Sequence, residues 1–258
     1  MRALTELRGW STVGVIARKD LRHYVRDPRM RMVWTGGLIF VAVFVAALLV
    51  GATRLPILQR ADWLVLATPT AVLFIGLPIA LNQFGWERRA ASFLFALPGG
   101  YRSILIGKNI ATTFALGIET LGLTIIAAAI TGGWAETAMV PALFITAVAA
   151  QLAVGNVASV LTPLRLPDMG TDVFSQASEH GCLAIGSQIV AFFIIGLLLV
   201  PTAIAVTLSR LAPDAVPGWA VGAGSMVWGI LVYLAGLAIA TRLFRRRLPE
   251  ILAWVQIT

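Results

Sequence analysis

"GWERRAASFLFALPGG", residues 85–100, separates two long apolar runs. It opens on three adjacent charges, Glu87, Arg88 and Arg89, and closes on Pro98-Gly99-Gly100. It is too polar to cross a bilayer and too regular to be a plain linker. On a helical wheel with Trp86 at the origin, Ala90, Phe93, Leu94 and Leu97 fall within about 80° of it. Arg88 and Ser92 lie on the far side, and Phe95 joins them at about 180°. Pro98 lacks a backbone donor and the glycines accept a turn, so the helix ends there. The stretch predicts a short helix, greasy on one face and charged around a single aromatic on the other. It can rest on lipid as an interfacial helix. It can also dock a soluble partner, with Phe95 as buried anchor and Glu87, Arg88 and Arg89 as a polar rim.

The flanking runs belong to a membrane protein. Of 258 residues, 59% are hydrophobic and 12% charged, with a mean hydropathy of +0.87. A soluble domain carries about twice that share of charge. A spanning helix needs about 20 mostly apolar residues. Six stretches qualify: 32–51, 63–84, 109–131, 139–162, 183–207 and 218–241. Trp63, Trp134, Trp219 and Trp254 sit near their ends, where interfacial aromatics belong. The net charge of +8 does not indicate nucleic acid, because the arginines cluster at the ends of apolar runs. There they act as topology signals and lipid-headgroup contacts.

Those charges orient the chain. The segments 1–31, 85–108, 163–182 and 242–258 together hold seventeen Lys and Arg, against three (Arg54, Arg60 and Arg210) in the alternate connections. By the positive-inside rule both termini, and the opening stretch, are cytoplasmic. The chain then divides into an N-terminal segment 1–31, a six-span domain 32–241 and a basic tail 242–258. About thirty residues with eight basic side chains precede the first run, so no cleaved leader is expected. From Val13, the helical period gathers Val13, Ala17, Leu21, Tyr24 and Val25 on one side and Arg18, Lys19, Arg22, His23 and Arg26 on the other. This predicts an amphipathic interfacial helix, broken at Asp27-Pro28. Asp20 interrupts its apolar side.

Several residues now carry a resemblance. Asn82, Gly85 and Glu87, then Leu97-Pro98, then Arg102, Ile104 and Gly107-Lys108-Asn109 resemble the cytoplasmic connection of ABC-2 type exporter permeases. "GNVASVLTPLRLP", residues 155–167, resembles the end of that family's fourth span and the connection after it. The N-terminal helix ending in "RDPRMR" is similar to its connecting helix. The resemblance implies an all-α, six-span membrane subunit with an interfacial N-terminal helix and a coupling helix between spans two and three. It implies a bacterial cytoplasmic membrane and a dimer, with a second copy or a homologous permease. It further implies two nucleotide-binding ATPase subunits that carry ATP and Mg. The contacts of Glu87, Arg88, Arg89, Phe95 and Pro98 with those subunits would couple hydrolysis to transport. The resemblance also implies a re-entrant fold within 201–217, where Pro201, Pro213 and Pro217 occur.

The residues offer no ATP site, cofactor site or metal site in this chain. A P-loop reads G-x-x-x-x-G-K-[ST]. The sole Gly-Lys pair is Gly107-Lys108, with Arg102 where the first glycine belongs and Asn109 after the lysine. Lys108 is better read as an inner-face anchor. Ser178-Glu179-His180 is contiguous, whereas a triad converges from separate elements. Two histidines and Cys182 make no recognisable metal set. The chain is therefore expected to be a transport subunit and not itself an enzyme. Glu119, near the middle of the third span, has two readings: a pathway or proton-linked carboxylate, or a neutral acid bonded across helices. The first supports the alternative function, an ion-coupled secondary carrier. Asn156 and Gln188 suit helix–helix hydrogen bonding. Gly218, Gly222, Ser225 and Gly229 suit close helix packing, within the fold or between copies.

Overall fold

The computed structural model describes residues 2–52, 62–87, 94, 100–162 and 173–256. Among these there is no strand. The helices are α1 (Arg2–Arg26), α2 (Pro28–Ala52), α3 (Asp62–Leu81), α4 (Gly100–Thr131), α5 (Val140–Leu161), α6 (Val173–Leu211) and α7 (Gly218–Gln256). A 3-10 turn, Trp134–Ala138, joins α4 to α5. Among the described residues five helices are long and apolar enough to cross a membrane, within 63–81, 100–131, 140–161, 185–211 and 218–250. The sixth expected span, 32–51, lies inside α2. The chain is thus an all-α protein of multi-pass membrane character.

The core clusters fix the topology. At one end, Phe84 after α3 meets Ile104 and Leu105 early in α4, Val160 late in α5 and Phe244 late in α7. At the other end, Val65 early in α3 meets Ala127 and Ala128 late in α4 and Val140 at the start of α5. Leu143, Val206 and Val221 close that end between α5, α6 and α7. Successive helices from α3 onward therefore run antiparallel. Ile16 of α1 belongs to the first cluster, so α1 and the C-terminal part of α7 share one end of the bundle. Arg18, Arg22, Arg102, Arg242 and Arg245 lie on elements at this basic end, whereas Arg210 lies at the opposite one.

Helices α3 and α5 form the interior, and α4, α6 and α7 present large lipid-type faces. Small residues let α5 and α7 approach closely. A Cβ on Gly236 would lie 2.5 Å from Ala153 Cα, and one on Gly229 would lie 2.7 Å from Thr146 Cα. The spacing is seven residues on both helices, about two turns, so the contact repeats in register. Gly222 faces Ala142 and Gly218 faces Met139, and Ser225 is buried. The glycine stripe is thus seated on the chain's own fifth helix.

Two expectations change. Segment 201–217 does not form a separate re-entrant helix: α6 continues through Pro201 to Leu211, and a short turn leads to α7. A proline inside a helix disturbs the carbonyls one turn back. Here the Trp228 indole of α7 donates to the Leu198 carbonyl at 2.8 Å, supporting α6 beside the proline. The second change concerns α1. It begins well before Val13, and its buried face packs on protein. Val13, Ile16, Ala17, Asp20 and Tyr24 are buried, whereas Val25 is exposed. The break at Asp27 stands where expected.

Candidate functional site

The residues that carry the sequence reading converge at the basic end. Helix α3 stops after Leu81, and residues 82–87 turn away from it. Gly107, in the second turn of α4, admits α1: a Cβ there would meet Val13 O at 2.9 Å and Ile16 Cβ at 2.8 Å. This close approach brings the face of α1 that carries Asp20 onto the face of α4 that carries Lys108.

Four charges meet there. Lys108 Nζ donates to Asp20 Oδ2 at 3.2 Å and also bonds Glu87 Oε1. Lys19 bonds Glu87 as well and pairs with Asp20 Oδ1 at 2.9 Å. The two ammoniums balance the two carboxylates. The side chains of Lys108, Asp20 and Glu87 are each under one-tenth exposed, while that of Lys19 reaches solvent. Burial of Glu87 opposes its charge, but the adjacent Lys108 and Lys19 outweigh burial and bring its carboxyl down to about 2. Burial, reinforced by the Asp20 charge, raises the Tyr24 phenol. Tyr24 in turn shares a 2.9 Å hydrogen bond with Thr112 of α4 and stands edge-on to Trp34 of α2.

A second, uncharged network lies beside the first. Gln83 Nε2 donates to Asn109 Oδ1 at 3.1 Å and to Asn156 Oδ1 at 3.2 Å. Asn109 Nδ2 donates to the Tyr233 hydroxyl at 3.1 Å. The turn, α4, α5 and α7 are therefore joined by side-chain amides in an apolar setting, where unpaired polar groups are costly. The apolar cluster completes the junction. Leu94 is helical and buried against it, and Phe244 packs on Phe84 and Tyr101 with ring centroids 5.0 and 4.6 Å apart.

The positions chosen from the sequence divide in three. Glu87 faces inward to Lys19 and Lys108, and Leu94, one residue of the expected greasy face, is buried. Arg88, Arg89, Phe95 and Pro98 lie outside the described residues. Glu119 stands apart, eleven positions beyond Lys108 and so about 16 Å along α4. It is half-buried, and its Oε2 is buried without a hydrogen-bond partner. Asn156 does bond across helices. The sequence reading missed the Asp20–Lys108 pair and the links to Gln83 and Tyr233. Asp20 carried a signal, since an acid on an apolar face requires a cation opposite it. Among the described residues no group of His, Cys, Asp and Glu could hold a metal ion. No family model and no curated protein matches the chain.

Proposed function

We propose that this chain is the membrane-spanning permease subunit of an ATP-driven exporter. Helix α2 serves as the sixth span, and the basic end faces the cytoplasm of a bacterial inner membrane. Two such subunits, or this chain and a homologous permease, form the pathway. Separate ATPase subunits bind ATP and Mg and push on the helix near 87–97.

One observation carries this reading: the segment after α3 is tied to four other helices of the bundle at once. Glu87 is held by α1 and α4, Gln83 by α4 and α5, and Leu94 lies in the apolar cluster shared with α7. A displacement of that segment is therefore passed to several spans together, the physical requirement for switching packed helices between two arrangements. Of the residues resembling ABC-2 permeases, Glu87, Ile104, Gly107, Lys108 and Asn109 take part in this junction.

A second reading rests on the buried, unpartnered Glu119 Oε2. An acid at membrane depth is expensive unless it is neutral or functional, and an ion-coupled carrier would use it. Paired substitutions separate the two. In a transport assay the exporter reading expects Phe95→Ala to impair export and Glu119→Gln to spare it. The opposite pattern selects the carrier.

A further inference from the structure

Helix α7 carries a stripe that changes character along its length. Leu234 and Ala238 are one turn apart, and Arg242 and Arg245 continue the same line. Arg102 approaches from the first turn of α4, and Leu237 forms the floor between the helices. Together these side chains line an open cavity of about 390 Å³, more than a bare ion needs and within the usual range of about 300–1,000 Å³ for small-molecule sites. The three arginines are exposed, and none has a carboxylate within ion-pair distance among the described residues. Glu250, the acid nearest along the helix, is paired with Arg247. Three cations around one cavity repel one another, and an anion placed among them removes that cost.

The depth of the stripe identifies the anion. Arg242 lies roughly 36 Å along the axis from Gly218, beyond the ~30 Å hydrocarbon core that the preceding turns can cross. Leu234 and Ala238 are exposed on the membrane side of the arginines. The cavity therefore offers cations at headgroup height and apolar surface immediately below. We propose that Arg102, Arg242 and Arg245 hold the phosphate of an anionic phospholipid, with the start of an acyl chain along Leu234 and Ala238. A free phosphate would use the arginines and leave the apolar half uncovered. This assignment needs only the membrane character of the chain and stands apart from the exporter reading.

Native mass spectrometry of delipidated protein in mild detergent tests it, with short-chain phosphatidylglycerol, phosphatidylcholine and inorganic phosphate as probes. Wild type and Arg246→Gln, a control on the same helix, retain phosphatidylglycerol in preference to phosphatidylcholine. The triple variant Arg102→Gln, Arg242→Gln and Arg245→Gln binds it about tenfold less or weaker still, since each basic side chain near a membrane surface contributes appreciably to anionic lipid attraction. Ala238→Trp fills the apolar half without touching the charges and lowers retention similarly. It decides the matter alone if the triple variant does not give folded protein. Undiminished binding in Ala238→Trp, equal retention of phosphatidylcholine, or displacement of the lipid by inorganic phosphate overturns the proposal.

Discussion

Lys108→Met is the most informative perturbation of the junction. The substitution keeps the length of the side chain and removes its charge. Lys108 is nearly fully buried, with Asp20 3.2 Å away and Glu87 also bonded to it. At an effective dielectric of about 20, one such contact corresponds to roughly 5 kcal/mol of attraction, most of it offset by desolvation. Removing one partner leaves the other charges buried without it, and this asymmetry costs about 3–5 kcal/mol. A chain of this size loses about 2–4 °C in Tm per kcal/mol, so a fall of roughly 10 °C is expected. Adding Asp20→Asn to Lys108→Met restores neutrality, leaving Lys19 with Glu87. The double variant should recover at least half of the loss. The assay is thermal unfolding in detergent, followed as a double-mutant cycle. A single-variant shift below about 2 °C, or strictly additive losses, would refute the view that these charges form one buried unit.

Other outcomes follow from the same geometry. Gly236→Leu must push the backbones of α5 and α7 apart, because even a Cβ would lie 2.5 Å from Ala153 Cα. Folded yield should collapse, whereas Gly224→Ala, with nothing within 4 Å of its new methyl, should be neutral or raise Tm slightly. The Glu87 carboxyl is lowered in the folded chain, so its contribution to stability is fully present above its ordinary value of 4.5 and is lost as pH falls toward about 2. Melting curves taken across that window should fall more steeply for wild type than for Glu87→Gln. At the opposite end, Arg210 grips both carboxylate oxygens of Glu136 in the 3-10 turn, with Nη1 to Oε1 at 2.7 Å. Arg210→Lys lacks the two-pronged geometry and should lower Tm by about as much as Arg210→Ala.

The apolar runs made the helices legible, because bilayer thickness leaves few alternatives for twenty greasy residues in a row. The turn at Asp27-Pro28 was legible because proline acts on its immediate neighbour. The failures share a cause: they depend on partners distant in sequence. Asp20 looked like a blemish until Lys108, 88 positions away, stood opposite it. Pro201 looked like a break, and the Trp228 indole on another helix supports the chain there. The glycines of α7 announced close packing, but their partner, α5, could be identified only once the helices were in place. Glu87 was read as a docking rim by its charged neighbours Arg88 and Arg89, and the structure turns its carboxylate to Lys19 and Lys108.

The central claim is that another chain drives this one through the segment near 87–97. The direct measurement is co-purification of the tagged protein with candidate P-loop ATPase subunits, followed by ATP hydrolysis by the isolated complex. The account predicts a stable complex whose hydrolysis differs from that of the ATPase alone, and a loss of that difference in Phe95→Ala at unchanged expression and Tm. Failure of every candidate ATPase to associate, or a complex indifferent to Phe95→Ala, would contradict it.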